Sequence, residues 1–107
     1  MLVLYYQTLA GRRPAKDFID TLSKREAGQV VADLDLIAEY GLGAPVSMKP
    51  IKGQHGMYEL RIGPNRVYYA LAGAHAMVLL GGSKKDDQER EILACVARMK
   101  DLKARLK

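Results

Sequence analysis

MYELRI at 57–62, GPN at 63–65, RVYYALA at 66–72 and HAMVLLGGSKKDD at 75–87 are the stretch that decides the fold of this chain. In the first run Tyr58, Leu60 and Ile62 alternate with Met57, Glu59 and Arg61. That is the period of a strand with one face buried and the other largely wet. GPN and Ala72-Gly73-Ala74 are breaks of hairpin length, so the runs 57–62, 66–72 and 75–81 read as antiparallel neighbours. The third, Ala76 to Leu80, is apolar on both faces and reads as a central strand. The first hairpin leaves one question open. A four-residue turn from Ile62 to Asn65 sets Arg61 and Arg66 opposite each other on one face, whereas a three-residue turn sets them on opposite faces.

Upstream of these strands, residues 41–56 carry Gly41, Gly43, Gly53 and Gly56 with Pro45 and Pro50, and Lys49 and Lys52 among them. This composition predicts an ordered surface loop. Before it, Pro14 suits the first turn of a helix whose apolar positions are Phe18, Ile19 and Leu22. Ser23 followed by Glu26 has the capping-box pattern, opening a second helix with a stripe of Ala27, Val30, Val31, Leu34 and Ile37 that Gly41 ends. Residues 2–7 read as a strand. Downstream of Asp86, Ile92, Val96, Met99, Leu102 and Leu106 recur at helical spacing, with acidic groups at the start and basic ones at the end, as the helix dipole favours. Residues 1–107 are expected to form one α+β domain. Its parts are a small, antiparallel-rich twisted sheet of about four strands, a helical hairpin on one face, and a C-terminal helix.

Seventeen Lys and Arg against 12 Asp and Glu give a formal charge of +5 and a pI of about 9.4, a balance suited to polyanionic partners. One cysteine, Cys95, excludes an internal disulfide framework and fits a reducing compartment. No Cys/His group has metal-ligand spacing, so neither a metal nor a cofactor is expected. The N-terminus lacks the pattern of a secretory signal, and the longest apolar run, from Ala76 to Gly82, is too short to span a bilayer. The expected location is the cytoplasm, with no membrane partner.

No nucleophile–His–Asp grouping is visible. Gly81-Gly82-Ser83-Lys84 has a superficial look of a phosphate loop but lacks the required glycine-rich spacing. The cations are more informative. Arg61 and Arg66 with Lys84 and Lys85 form a focus for a phosphodiester, able to bind it and to stabilise the charge of a pentavalent transition state without metal. Tyr68 and Tyr69 follow closely, and either suits stacking on a base or a part in proton transfer. Each residue also has a plain structural reading. Strand arginines are commonly solvated edge residues, Tyr58 and Tyr69 suit the core, Glu59 suits an ion pair with an arginine, and His55 suits an exposed loop.

Tyr-Glu-Leu-Arg, then Arg-Val-Tyr-Tyr, then Leu-Leu-Gly-Gly-x-Lys and a Gln-x-x-x-Ile entry to the last helix together resemble the RelE/ParE-like toxin superfamily. Within it the chain most resembles the HigB-like, phage-derived or "addiction module killer" group. The likeness runs through nearly the whole chain, including the helix opening at Pro14–Phe18 and the Lys49-Pro50-Ile51 to Gly53 loop. It implies the toxin of a type II toxin–antitoxin pair that cleaves mRNA on the ribosome without metal. The implied partners are the mRNA, the ribosome and a cognate antitoxin with a helix-turn-helix domain, through which the complex meets DNA. By motif position, Arg61 and Arg66 flank the hairpin turn, Arg66 contacts substrate phosphate, and Lys85 serves the transition state. Lys49, Lys52 and Lys84 face RNA, and His55 lies near a catalytic histidine of some relatives. The chain departs from the pattern in having no tyrosine or histidine after His75, where many active relatives keep an acid or base. Two alternatives stay open: a gyrase-inhibiting toxin of the ParE-like kind, and a catalytically degenerate binder of antitoxin or nucleic acid.

Overall fold

In the computed structural model, which describes residues 1–106, five strands form one mixed sheet in the order β1-β5-β4-β3-β2. These are β1 (Leu2–Tyr5), β2 (Ser47–Pro50), β3 (Met57–Ile62), β4 (Asn65–Ala72) and β5 (Ala76–Lys84). β1 runs parallel to β5, and the other pairs are antiparallel. The count corrects the expectation of about four strands. Ser47–Pro50, read from its glycines and prolines as loop, pairs with β3 as the outer strand. Proline is tolerated there because an edge strand has a side that needs no N–H donor. β4 is the middle strand of the five, and β5 lies between it and β1.

The helices are α1 (Pro14–Asp20), α2 (Lys24–Tyr40) and α3 (Gln88–Arg105). Pro14 opens α1, where its missing N–H costs nothing. Ser23 caps α2 by accepting the Glu26 N–H at 3.1 Å, but the Glu26 carboxylate does not return to the cap. It reaches across to Asn65 and Lys84 instead, so the capping box is half formed. Ala15, Ile19, Val30, Leu34 and Ile37 of α1 and α2 pack on Leu60, Ile62, Val67, Tyr69, Met77 and Leu79. Val31, assigned to the same stripe from its spacing, is 46% exposed on the flank.

Cys95 and Met99 of α3 pack on the opposite sheet face with Tyr6, Met57, Tyr68, Ala70, Val78 and Leu80. Cys95 is fully buried, whereas Leu106, expected in the stripe, is 67% exposed. The sheet is therefore covered on both sides. The face of β3 read as wet is buried at Met57 and Glu59 and open only at Arg61.

Two backbone features set the site. The hairpin pairs Ile62 with Asn65 across Gly63 and Pro64, so Arg61 and Arg66 are opposite each other on the α3 face. Gly63 has φ 56°, the left-handed value that a primed hairpin turn requires at its first position. In β5 a bulge opposite Tyr68/Tyr69 leaves Leu80 as the extra residue, and pairing resumes at Gly81. It carries β5 on through Gly81, Gly82 and Ser83 to Lys84, so the Gly-Gly-Ser-Lys segment is strand, not a phosphate loop. Both glycines are close-approach positions. A Cβ on Gly81 would lie 2.4 Å from Glu91 Oε2, and one on Gly82 would lie 2.3 Å from Phe18 Cδ2.

Candidate functional site

Arg61 and Arg66 are paired across the β3–β4 hairpin next to its turn, and the backbone of Lys85 is tied to the same turn. The Lys85 N–H donates to Pro64 O at 2.9 Å, which binds the segment after β5 to that turn. Lys85 itself is exposed and has no carboxylate partner among the described residues. Arg61 projects from the end of β3 with its side chain 41% exposed. Arg66 is different. It is only 8% exposed, and its Nη1 donates to Gly63 O at 2.6 Å and to Asn65 O at 3.1 Å. It braces the turn from beneath, with its buried Nε unpaired.

Under Arg61 lies a polar network that only the fold assembles. Glu59, 5% exposed, accepts from Arg61 Nε at 2.6 Å through one oxygen and from Gln88 Nε2 at 2.9 Å through the other. Close by, the Tyr68 hydroxyl and Ser83 Oγ are 2.9 Å apart. Burial pushes the Tyr68 hydroxyl above its usual pKa, with the bonds to Ser83 and Gln88 acting the other way. Tyr68 has no exposed surface, so as it stands it offers no ring for a base to stack on. Tyr69 is likewise core, stacked on Tyr58 at 5.4 Å and raised to about 12 mainly by burial.

A cleft of about 360 Å³ opens beside Arg61, with Lys52, Glu59, Gln88 and Glu89 as its polar lining and Ile51 and Ile92 among its apolar walls. Lys49 lies opposite Glu59 in the β2–β3 register, on the face that carries Arg61. Lys84 does not join them. The bulge turns it to the α2 face, where its Nζ donates to Glu26 Oε2 at 2.6 Å. This pair, aided by Asn65, holds the Glu26 carboxyl below its usual range. His55 is also apart. It lines a separate cleft of about 530 Å³ with Gln54 and Tyr58, beyond the start of β3. Four residues of strand, about 13 Å at 3.3 Å per residue, separate Met57 from Arg61.

Sequence reasoning missed Gln88 and the burial of Glu59. The spacing of Glu59 and Arg61 on one strand face was a signal for their ion pair. Gln88 was visible as the start of the Gln-x-x-x-Ile entry to α3, but nothing local marks it as a partner of Glu59, which it meets from another part of the chain. Of the acidic run 86–91, Glu89 reaches the cleft, while Glu91 turns to β5 and accepts from Gly82 N–H and Arg98. Among the described residues no group of His, Cys, Asp and Glu could hold a metal ion, and no helix is long and apolar enough to cross a membrane.

Residues 17–100 match the family described as phage derived protein Gp49-like. No curated protein matches the chain in sequence. Among solved structures, the crystal structure of a RelB–RelE antitoxin–toxin complex from Methanococcus jannaschii contains a similar chain. The superposition has a TM-score of 0.64 at 12% identity, covering 85% of this chain and 98% of that one. At that identity the likeness is one of fold.

Proposed function

The chain belongs to the phage-derived Gp49-like family, and from that premise we propose that it is the toxin of a type II toxin–antitoxin pair. Its activity in this reading is metal-independent, ribosome-dependent cleavage of mRNA, and the HigB-like group is its place among RelE-like toxins. The observation that carries the reading is the exposed Arg61 and the unpaired Lys85 at the same end of the hairpin, with Lys49 on the Arg61 face and Lys52 lining the adjoining cleft. The fold shared with a RelB–RelE complex supports it.

In the reaction the ribose 2′-hydroxyl gives its proton to water as its oxygen attacks the adjacent phosphorus. The bond to the 5′-oxygen of the next nucleotide breaks, and that oxygen takes a proton from water, leaving a 2′,3′-cyclic phosphate and a 5′-hydroxyl. Negative charge grows on the phosphoryl oxygens. A guanidinium and an ammonium fixed on one side stabilise that charge more than they stabilise the ground state, which is what lowers the barrier. Arg66 shapes the turn from which they project. Lys84, engaged with Glu26, stands outside this set, His55 lines a separate cleft, and Tyr68 is fully buried.

The partner in this reading is a cognate antitoxin, one with a helix-turn-helix domain, whose acidic or mixed segment covers the Arg61/Lys85 end. Covering those cations directly blocks substrate. The test uses ribosomes programmed with message. Wild type is expected to cut within the message, and to cut equally well when the toxin alone is treated with chelator and dialysed before it meets the magnesium-containing ribosomes. Arg61→Ala and Lys85→Ala are each expected to reduce cutting by roughly 100- to 1000-fold, the scale for losing one transition-state donor. Lys85→Ala retains the melting temperature, whereas Arg61→Ala keeps the fold at a lower one because buried Glu59 loses its charged partner. Undiminished toxicity of the double variant in an inducible host refutes the assignment. DNA breaks with intact message would instead identify a gyrase-directed toxin.

A further inference from the structure

We infer that Glu59, held by Gln88, is a positioning residue for Arg61. It fixes the guanidinium so that the Nη groups, and not Nε, are presented to a phosphodiester in the adjoining cleft. The inference rests on the nuclease reading for its purpose, but its geometry stands apart from that reading.

Arg61 and Glu59 are next-but-one neighbours on the same face of β3, yet their environments differ sharply. The arginine side chain is 41% exposed and the carboxylate 6%. An exposed arginine gains little from an ion pair in water, because solvent screens the charge and the long side chain loses freedom. A buried carboxylate is costly, and an apolar residue would seal this sheet face against α3 with less penalty. The arrangement stabilises the fold poorly for its cost. It orients an arginine well.

The direction of the hydrogen bonds says how. Arg61 has five N–H donors in one plane, and Nε is the one spent on Glu59, at 2.6 Å. The four Nη–H donors have no protein acceptor among the described residues, and the side chain that carries them is 41% exposed. With Nε pinned, the plane of the guanidinium is set, and its outer edge is the one that binds a phosphate bidentately. The second oxygen of Glu59 is taken by Gln88 Nε2 at 2.9 Å, which stops the carboxylate from rotating. Gln88 is the first residue of α3, so the seating of that helix on the sheet is transmitted to the arginine. With both oxygens occupied, Glu59 acts through Arg61, although it also forms part of the cleft wall.

The donor–acceptor chain runs Arg61 to Glu59 from one side and Gln88 to Glu59 from the other, so only a group with two acceptors fits the middle. Glu59→Gln puts an NH2 against one of two donors and breaks the clamp. In the double exchange Glu59→Gln with Gln88→Glu, the amide oxygen at position 59 faces Arg61 and its NH2 faces the new carboxylate at position 88. The chain is complete again at unchanged net charge.

For ribosome-dependent cutting, Glu59→Gln is expected to lower kcat on the order of 100-fold with little change in KM, as misplacement of a transition-state group does. The double exchange recovers most of it, and on an Arg61→Ala background Glu59→Gln has no further effect. An activity-free readout is the Arg61 Nε–H resonance, expected to exchange slowly in wild type, rapidly in Glu59→Gln, and slowly again in the double exchange. A wild-type Nε–H that exchanges as fast as free arginine overturns the inference. So does a Glu59→Gln effect that persists without Arg61. If wild type cuts no message while Nε–H protection depends on Glu59, the nuclease reading fails and the positioning is upheld.

Discussion

Gly82→Ala places one methyl group in the tightest approach between the sheet and α1. The added Cβ would lie 2.3 Å from Phe18 Cδ2 and 2.9 Å from its Cγ. Ordinary carbon contacts are about 3.5–4.0 Å, so the ring must retreat by about 1.2 Å or more. The strand cannot move the other way, because the Arg66 carbonyl oxygen would be 3.0 Å from the same methyl. Overpacking of this kind costs about 1–3 kcal/mol. Replacing a strand glycine by alanine returns about 0.5–1 kcal/mol through the unfolded chain. Subtracting the two ranges leaves about 0–2.5 kcal/mol; the Arg66 carbonyl closing the other side removes the lower end and an outward swing of half-buried Phe18 the upper, for a net destabilisation of about 1–2 kcal/mol. For a domain of this size that is a fall of about 4–16 °C in Tm, read by circular dichroism together with urea midpoints. A double-mutant cycle identifies the cause. On a Phe18→Ala background the methyl has room, so Gly82→Ala becomes neutral or stabilising by up to about 1 kcal/mol. The reasoning is refuted if Gly82→Ala melts with wild type, or if its cost is the same in both backgrounds.

Alkaline stability follows from two buried acids. Burial raises Cys95 from 9.0 to about 12 and Tyr69 from 10.0 to about 12. Each is neutral when protonated and ionises more easily in the unfolded chain, so its contribution is complete below the unfolded value and lost as pH rises through the folded one. Urea midpoints should therefore decline from about pH 9 towards about 12, and Cys95→Ala should flatten the first part of that decline. Acid stability runs the opposite way at Glu26. Its lowered carboxyl contributes above the ordinary 4.5 and loses the contribution as pH falls through the folded value. Glu26→Gln should remove that part of the acid limb, measured as a smaller difference in Tm between neutral and acid buffer.

Much of the architecture was legible because it follows from local periodicity. Alternation in 57–62, the hairpin-length breaks and the helical stripes all find their counterparts in β3, β4, β5 and the three helices. Cys95 escaped the stripe because its neighbours at helical spacing were the larger apolar residues. The edge strand Ser47–Pro50 was hidden because its partner, β3, supplies the reason for it to extend. An edge strand with two prolines nearby has no pattern of its own.

The candidate site divides along the same line. Its residue types and the opposition of Arg61 and Arg66, once the turn length is known, belong to the chain near Gly63 and are local. Their exposure is not. α3 closes over the second sheet face, which buries Tyr68, Glu59 and most of Arg66 while leaving Arg61 open at the rim. One extra residue in β5 turns Lys84 towards Glu26 and away from the other cations. The sequence by itself determined which cations the chain has and which strand end they share, because strand period and the position of the Gly-Pro-Asn break are local properties. Only the tertiary structure decided which of them face solvent and which carboxylate holds Arg61, because burial and side-chain pairing depend on what packs from elsewhere in the chain.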